Sequence, residues 1–163
     1  MDIKGYVEQS IYFEDKEFKV KAKIRPDKNC IDNDTLIDVK TTNNASPDDF
    51  AKQCMNFNYD LQLAFYADTL SEISKPEYEY TNIFIIAVEN QYPYACQVYN
   101  CVELGFIDVG RKKYKKAMAE YAECLITDKW KGYEKYAENE YGIIDLKLPN
   151  WYLRSQYVNS ETI

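Results

Sequence analysis

Hydrophobic and polar residues follow the two-residue period of β-strands along the first forty residues. Residues 7–13 are rich in β-branched and aromatic side chains, and residues 18–25 alternate apolar with basic side chains without a slip. Pro26 ends that alternation, a polar loop follows over residues 28–34, and residues 36–42 form the next predicted strand. The pattern predicts three antiparallel strands joined as a meander.

A helix is predicted to begin after these strands. Ser46 can cap it, and Pro47 suits its first position because a helix leaves that N–H unpaired. Helical character continues over residues 46–73, with a predicted break near residues 56–58.

The remaining pattern completes a layered α/β arrangement. Residues 79–89 form a central strand whose apolar run predicts burial on both faces, and residues 92–102 form an edge strand. Residues 104–127 predict an amphipathic helix. No linker interrupts the chain, so we expect a single α/β domain over residues 1–163, with helices packed on a mixed sheet. The apolar stripe of the last helix comprises Leu104, Ile107, Tyr114, Met118, Tyr121 and Leu125.

Charge and composition narrow the possible chemistry. The chain has 27 acidic and 20 basic residues, a net charge of −7, and no histidine. Without histidine, Ser-His-Asp and Cys-His nucleophilic catalysis and zinc sites that need imidazole are excluded. The acidic balance disfavours a protein that coats nucleic acid by bulk charge, but it permits a phosphate gripped through a metal that carboxylates hold.

Cysteines and apolar runs predict the compartment. The five cysteines are widely spaced without a C-x-x-C pair, which favours reduced thiols over the alternative of a four-cysteine iron–sulfur site. The longest apolar run, residues 83–88, is too short to span a bilayer, and no secretory leader opens the chain. We therefore expect a cytoplasmic protein with no membrane partner.

Two aspartates and a lysine form the candidate catalytic constellation. Asp38 and Lys40 lie two apart on a predicted strand, so both side chains leave one face while Val39 points into the core. Asp27 ends the preceding strand, and the hairpin can bring it beside Asp38. The alternative is a solvated strand end in which Asp38 and Lys40 merely pair with each other.

This set of residues suits metal-assisted phosphodiester hydrolysis. Mg²⁺ prefers oxygen ligands, which the two aspartates, a main-chain carbonyl (assigned to Val39) and the substrate phosphate can supply. The metal polarises the phosphodiester and acidifies a bound water. Lys40 then orients or deprotonates the attacking water, or stabilises the charge that grows on the phosphate oxygens.

Three segments carry a resemblance to a known family. They are R-P-D at residues 25–27, I-D-V-K-T-T at residues 37–42 and Q-L-A-F-Y at residues 62–66. Together they resemble the PD-(D/E)XK nuclease superfamily, and within it the exonuclease VIII (RecE) type of phage and prophage recombination exonuclease. Residues 125–130 and 148–151 also resemble the end of that domain, so the resemblance covers nearly the whole chain.

The resemblance implies a restriction-endonuclease-like core and an exonuclease dependent on Mg²⁺ or Mn²⁺. Such an enzyme digests double-stranded DNA from an end, 5′ to 3′, and leaves a single strand for an annealing protein; a homo-oligomer is also implied. Asp27 and Asp38 would be metal ligands and Lys40 the catalytic lysine. Gln62 and Tyr66 match the Q-x-x-x-Y motif, whose side chains share one helix face and contact the lysine or the DNA; the alternative is packing under the sheet.

Three further residues are weaker candidates. Glu8 matches an acidic residue that the family often has upstream of R-P-D, so it is either an outer metal ligand or an exposed strand glutamate. Arg111 and Lys112 open the basic cluster at residues 111–116, which either contacts DNA phosphate or is the solvated face of the amphipathic helix.

One departure from the family keeps a second function open. The family usually has a helical segment before these strands that contributes a histidine near the metal, whereas this chain starts just before the first strand and has no histidine. We therefore expect either an excised core or an incomplete site. The alternative functions are a catalytically silent domain that binds DNA ends or a recombination partner, and a structural domain with a coincidental D-x-K.

Overall fold

The computed structural model describes residues 4–74, 79–130 and 132–158. The chain groups into two compact units, Met1–Ile126 and Thr127–Ile163. The first unit contains the strands and the longer helices. Its strands are β1 (Tyr6–Val7), β2 (Ile11–Glu14), β3 (Lys21–Ile24), β4 (Lys28–Cys30), β5 (Thr35–Thr42), β6 (Asn82–Glu89) and β7 (Cys96–Asn100), and its helices are α1 (Pro47–Phe57), α2 (Tyr59–Ser74) and α3 (Phe106–Thr127).

The strands build a mixed five-stranded sheet in the order β1-β4-β5-β6-β7. β5 and β6 pair in parallel, because α1 and α2 carry the chain back across one face between them, and the other pairs are antiparallel. β2 and β3 form a separate antiparallel ribbon. The predicted α/β class, with antiparallel strands followed by a β-α-β unit and helices at the flanks, is confirmed, as is the edge position of β7.

The predicted meander is wrong in its first strands. Residues 7–13 divide into β1 and β2, which belong to different sheets, and the left-handed backbone of Glu8 (φ 54°) separates them. The predicted loop at residues 28–34 contains β4 instead. Asn29 of that strand is buried, and its Oδ1 accepts a hydrogen bond of 2.5 Å from the hydroxyl of Tyr80. A polar strand is stable here because a distant residue satisfies its buried amide.

The predicted break in the long helix is confirmed. Asn58 adopts the left-handed conformation (φ 54°) between α1 and α2, a conformation that asparagine tolerates well. Ser46 occupies the N-cap of α1 but makes no side-chain capping bond, contrary to the prediction. Its N–H instead donates to Asn44 Oδ1 over 2.8 Å.

The core lies between the helices and one face of the sheet. Leu36, Asp38, Lys40 and Thr42 of β5 turn toward that side, whereas Val39 is 48% exposed. The prediction that Val39 points into the core is therefore wrong: Asp38 and Lys40 occupy the helix-covered face. β6 is likewise fully buried on only one of its faces, not on both as predicted; the buried residues are Ile83, Ile85 and Ala87.

The apolar stripe of α3 is buried only in its first half. Ile107 and Tyr114 are buried, and Met118 packs against the core. Leu104 precedes the helix in a left-handed conformation (φ 59°) and is fully exposed, and Tyr121 and Leu125 are about half exposed. The predicted stripe is thus correct only around the middle turns, where α3 crosses α2.

The second unit contains a short 3₁₀ turn at Tyr133–Tyr136 and α4 at Asn150–Val158. Pro149 immediately precedes α4, and its carbonyl accepts the N–H of Leu153 over 3.2 Å. The segment at residues 148–151 is therefore a helix start. Within the described ranges, no helix is long and apolar enough to cross a bilayer.

Candidate active site

Hairpin pairing brings the two aspartates to one end of the sheet. Lys28 of β4 lies opposite Ile37 of β5, so Asp27, one residue earlier, falls opposite Asp38. Asp27 Oδ2 accepts a hydrogen bond of 2.7 Å from the backbone N–H of Val39. On the β4 side of β5, strand pairing ends at Ile37, and beyond that point the bond from Val39 fixes the Asp27 carboxylate beside the motif.

Asp38 is a buried carboxylate, with 1% of its surface exposed. The ammonium of Lys40 lies 2.6 Å from its Oδ2, yet that oxygen accepts no hydrogen bond of acceptable geometry from the described residues, so the contact is electrostatic. Burial raises the pKa of Asp38; Lys40 opposes that shift, and the charge of Asp27 adds to it. The carboxylate therefore sits where an additional cation would stabilise its charged form.

Lys40 has three partners that fix its ammonium. Besides Asp38, it donates to Gln62 Oε1 over 2.8 Å and lies 4.6 Å from the ring centroid of Tyr59. Gln62 in turn donates through Nε2 to the hydroxyl of Tyr66 over 3.2 Å. Because lysine only donates, the amide oxygen must face Lys40 and the amide nitrogen must face Tyr66.

Sequence reasoning missed Tyr59. The signal was present, because Tyr59, Gln62 and Tyr66 stand at positions i, i+3 and i+7 of α2 and so share one helix face. Gln53 of α1 supports the ring by donating to the Tyr59 hydroxyl over 3.4 Å and accepting from the Thr42 hydroxyl over 2.5 Å. The second threonine of the D-V-K-T-T motif thus links β5 to the same aromatic cluster.

The donor set fits a hard divalent cation. Asp27 and Asp38 present carboxylate oxygens side by side where β4 begins, and the Oδ2 of Asp38 is buried against the Lys40 ammonium without a hydrogen bond of good geometry from the described residues. Within the described residues, no three side chains of the aspartate, glutamate or cysteine type gather as a metal cluster. A bound Mg²⁺ or Mn²⁺ would therefore take the remaining positions from the main chain, from water and from substrate, as Mg²⁺ commonly does.

Glu8 lies beside Asp27 through its backbone. Its N–H donates to the carbonyl of Asp27 over 3.1 Å, while its carboxylate pairs with Arg25 at 2.5 Å. The side chain is therefore occupied by Arg25, and a role for Glu8 as an outer ligand stays a prediction.

Arg111 and Lys112 are not part of this cluster. Arg111 donates two hydrogen bonds of 2.8 Å to the carboxylate of Asp68 and one of 3.0 Å to Asp108. The bonds to Asp68 link α3 to α2. Lys112 is exposed on α3. In the described part of the chain neither one contacts Asp27, Asp38 or Lys40, and DNA contact by this pair stays a prediction.

The buried thiols are unsuited to nucleophilic chemistry. All five cysteines are free. Burial raises the pKa of Cys54 to about 11 and that of Cys101 to about 12, so both stay protonated near neutral pH.

Comparison with known proteins agrees with this geometry. Residues 2–141 match a family described as a PDDEXK-like domain of unknown function (DUF3799). The crystal structure of a "Putative exonuclease" from Eubacterium rectale has a TM-score of 0.61 to this chain at 17% sequence identity, covering 79% of this chain and 48% of that one. The chain thus spans about half the length of that protein, and the likeness shows a shared fold. No curated protein matches the sequence.

Proposed function

The chain belongs to the PDDEXK-like family, and from that membership we propose that it is a metal-dependent deoxyribonuclease. The observation that carries the proposal is the meeting of Asp27, Asp38 and Lys40 at the middle of β5, where β4 begins beside it, with Lys40 held by Gln62. A structural role alone does not require a buried aspartate whose pKa burial raises.

Asp27 and Asp38 would hold Mg²⁺ or Mn²⁺, with the carbonyl of Val39 as a further ligand. When bound, such an ion polarises a phosphodiester and lowers the pKa of a coordinated water. Asp27 is kept in place by the N–H of Val39, so its carboxylate needs little reorganisation when the ion arrives.

Lys40 would act as a cation toward the phosphate. Its ammonium is held in place by contacts with Asp38, with Gln62 Oε1 and with the face of the Tyr59 ring. A fixed positive charge beside the metal stabilises the charge that develops on the phosphate oxygens during hydrolysis. Gln62 and Tyr66 position Lys40, and Tyr66 has a hydroxyl that can also reach the phosphate.

The resemblance to recombination exonucleases supplies the finer proposal. The substrate is double-stranded DNA digested from an end, 5′ to 3′, and the product is a single strand for an annealing protein in phage-type recombination. The chain would work in the cytoplasm of a bacterial host, as a homo-oligomer.

End-labelled DNA tests these statements separately. Linear duplex labelled at its 5′ or its 3′ ends is incubated with Mg²⁺ or with EDTA, and a covalently closed circle serves as the substrate without ends. We expect Mg²⁺-dependent release of the 5′ label first and an intact circle. Cleavage of the circle would overturn the dependence on ends, and earlier release of the 3′ label would overturn the polarity.

A catalytically silent domain that binds DNA ends is the second candidate, favoured by the lack of any histidine. Tight binding of duplex ends without cleavage under any metal would select it over the nuclease.

A further inference from the structure

We propose that the β2–β3 ribbon is a contact surface for the sugar-phosphate backbone of the duplex next to the cleavage site. This inference rests on the proposed function, since it concerns the same substrate. It adds the lysines of the β2–β3 ribbon, which no motif includes, and an ion pair of 2.8 Å between Glu17 of the ribbon turn and Lys115 joins this surface to the basic cluster of α3.

The ribbon has one buried face and one basic face. Ile11 and Phe13 pack inward, and Phe13 contacts Phe65 of α2 with ring centroids 5.9 Å apart. On β3 and its flanks, Val20 and Ile24 are buried. The residues between and beside them are exposed and basic, and they are Lys19, Lys21, Lys23 and Arg25.

The exposed positions of β3 and its flanks are all basic, which sets them apart from an ordinary solvated strand, although the neighbouring strand β2 contributes the exposed Glu14. A solvated face needs charge of either sign, and acidic residues outnumber basic ones by 27 to 20 in this chain. Four successive outward positions are nevertheless basic. Within the described residues, Lys21 and Lys23 form no ion pair, although Glu14 lies opposite Lys21, and Arg25 pairs with Glu8.

An exposed aromatic residue accompanies the lysines. Tyr12 lies opposite Lys23 in the ribbon, is 75% exposed, and has its ring centroid 5.3 Å from the Lys23 ammonium. A tyrosine beside lysines offers a flat apolar surface together with positive charge, a combination that suits nucleic acid.

The ribbon also leads directly into the candidate metal site. Lys23 precedes Asp27 by four residues, so their Cα atoms are no more than about 14 Å apart. One DNA strand places a phosphate about every 3.4 Å along the helix axis, so about four phosphates flanking the scissile one lie within that reach. The ribbon further packs on α2, the helix that carries Gln62 and Tyr66.

Binding to duplex DNA without cleavage tests the proposal. The double variant Lys21→Gln/Lys23→Gln is compared with wild type and with Lys52→Gln, a control at a lysine of α1 whose side chain is 71% exposed. Affinity for a short fluorescent duplex is measured by anisotropy in EDTA over a series of salt concentrations, and melting temperatures verify folding.

We expect the double variant to bind roughly tenfold more weakly at low salt, and the slope of log K against log salt to decrease by about 2. The control should behave as wild type. An unchanged affinity and slope in the double variant, or an equal loss of affinity in the control, would overturn the proposal that the ribbon contacts DNA. Either result would leave the nuclease proposal intact. Absence of any duplex binding by wild type would overturn both.

Discussion

Lys40 on β5 donates a hydrogen bond of 2.8 Å to Gln62 on α2, although 22 residues separate the two in sequence. The bond joins the strand of the D-V-K motif to the helix of the Q-x-x-x-Y motif. The two sequence motifs are therefore one structural unit, with Gln62 as the group that orients the lysine.

Replacing Gln62 with leucine should lower DNA cleavage about 10- to 100-fold, as loss of supporting contacts at catalytic groups commonly does. The leucine fills similar space but gives Lys40 no acceptor. The turnover rate under saturating DNA, measured with a melting curve for folding, tests this expectation. Gln97→Leu is the matched control, because Gln97 is exposed on β7 and its side chain donates to the neighbouring carbonyl of Val98. Equal turnover rates for the two variants would contradict the role of Gln62 in orienting Lys40.

The pH dependence of stability should reveal that ionisation of Asp38 is unfavourable in the folded protein. Because burial raises its pKa above the ordinary value of 3.8, ionising Asp38 costs free energy in the folded state. The contribution of Asp38 to the stability of the folded protein is fully present at a pH below its ordinary pKa. That contribution is lost as the pH rises through the raised pKa. The stability of Asp38→Asn relative to wild type should therefore improve as the pH is raised from about 4 to neutrality.

Melting temperatures of the two proteins across that range measure the difference. The slope is the informative quantity, because the direction of the Asp38 pKa shift already includes the opposing effect of Lys40, whereas the change in packing between the two side chains shifts the variant equally at every pH. A stability difference that falls with rising pH would contradict the direction assigned to Asp38.

Divalent cations should stabilise the folded protein. An ion that binds only the folded state adds about 2.7 kcal/mol at a concentration 100 times its Kd. We expect Mg²⁺ to raise the melting temperature of wild type but not that of Asp27→Ala. Asp49→Ala is the control, since Asp49 is a carboxylate that pairs with Lys52 on the surface of α1. A Mg²⁺ response retained in Asp27→Ala would contradict the metal assignment.

Gly110 should be intolerant of a side chain. A Cβ at this position of α3 would lie 2.0 Å from the backbone oxygen of Asp60 at the start of α2. Gly110→Ala must push the two helices apart, at a cost of about 1–3 kcal/mol or more in the free energy of unfolding. Chemical denaturation measures that loss. An unchanged midpoint would show that the helices do not pack this closely.

The local sequence pattern was sufficient to predict those elements whose conformation depends on one segment alone. Residues 36–42 were expected to form a strand and form β5, and the asparagines at positions 56 and 58 predicted the break where Asn58 turns left-handed. The family resemblance predicted Gln62 and Tyr66 as a pair beside the lysine, and in the structure Gln62 bonds both Lys40 and Tyr66.

Features that depend on distant partners were not predictable. β4 is a short polar strand whose Asn29 is satisfied by Tyr80, 51 residues away. Val39 is exposed because the helices cover the face of Asp38 and Lys40, and alternation alone does not say which face is covered. The ring of Tyr59 beneath Lys40 depends on the placement of α2 against β5.

Cleavage of linear duplex DNA by wild type, Asp38→Ala and Lys40→Ala tests the central claim most directly, with Lys52→Ala as a control at an exposed lysine. We predict Mg²⁺-dependent degradation by wild type and the control. Loss of either motif residue should reduce the rate by at least about 10²-fold, in line with the removal of a group that stabilises developing charge. Degradation at the wild-type rate by Asp38→Ala and Lys40→Ala would contradict the claim.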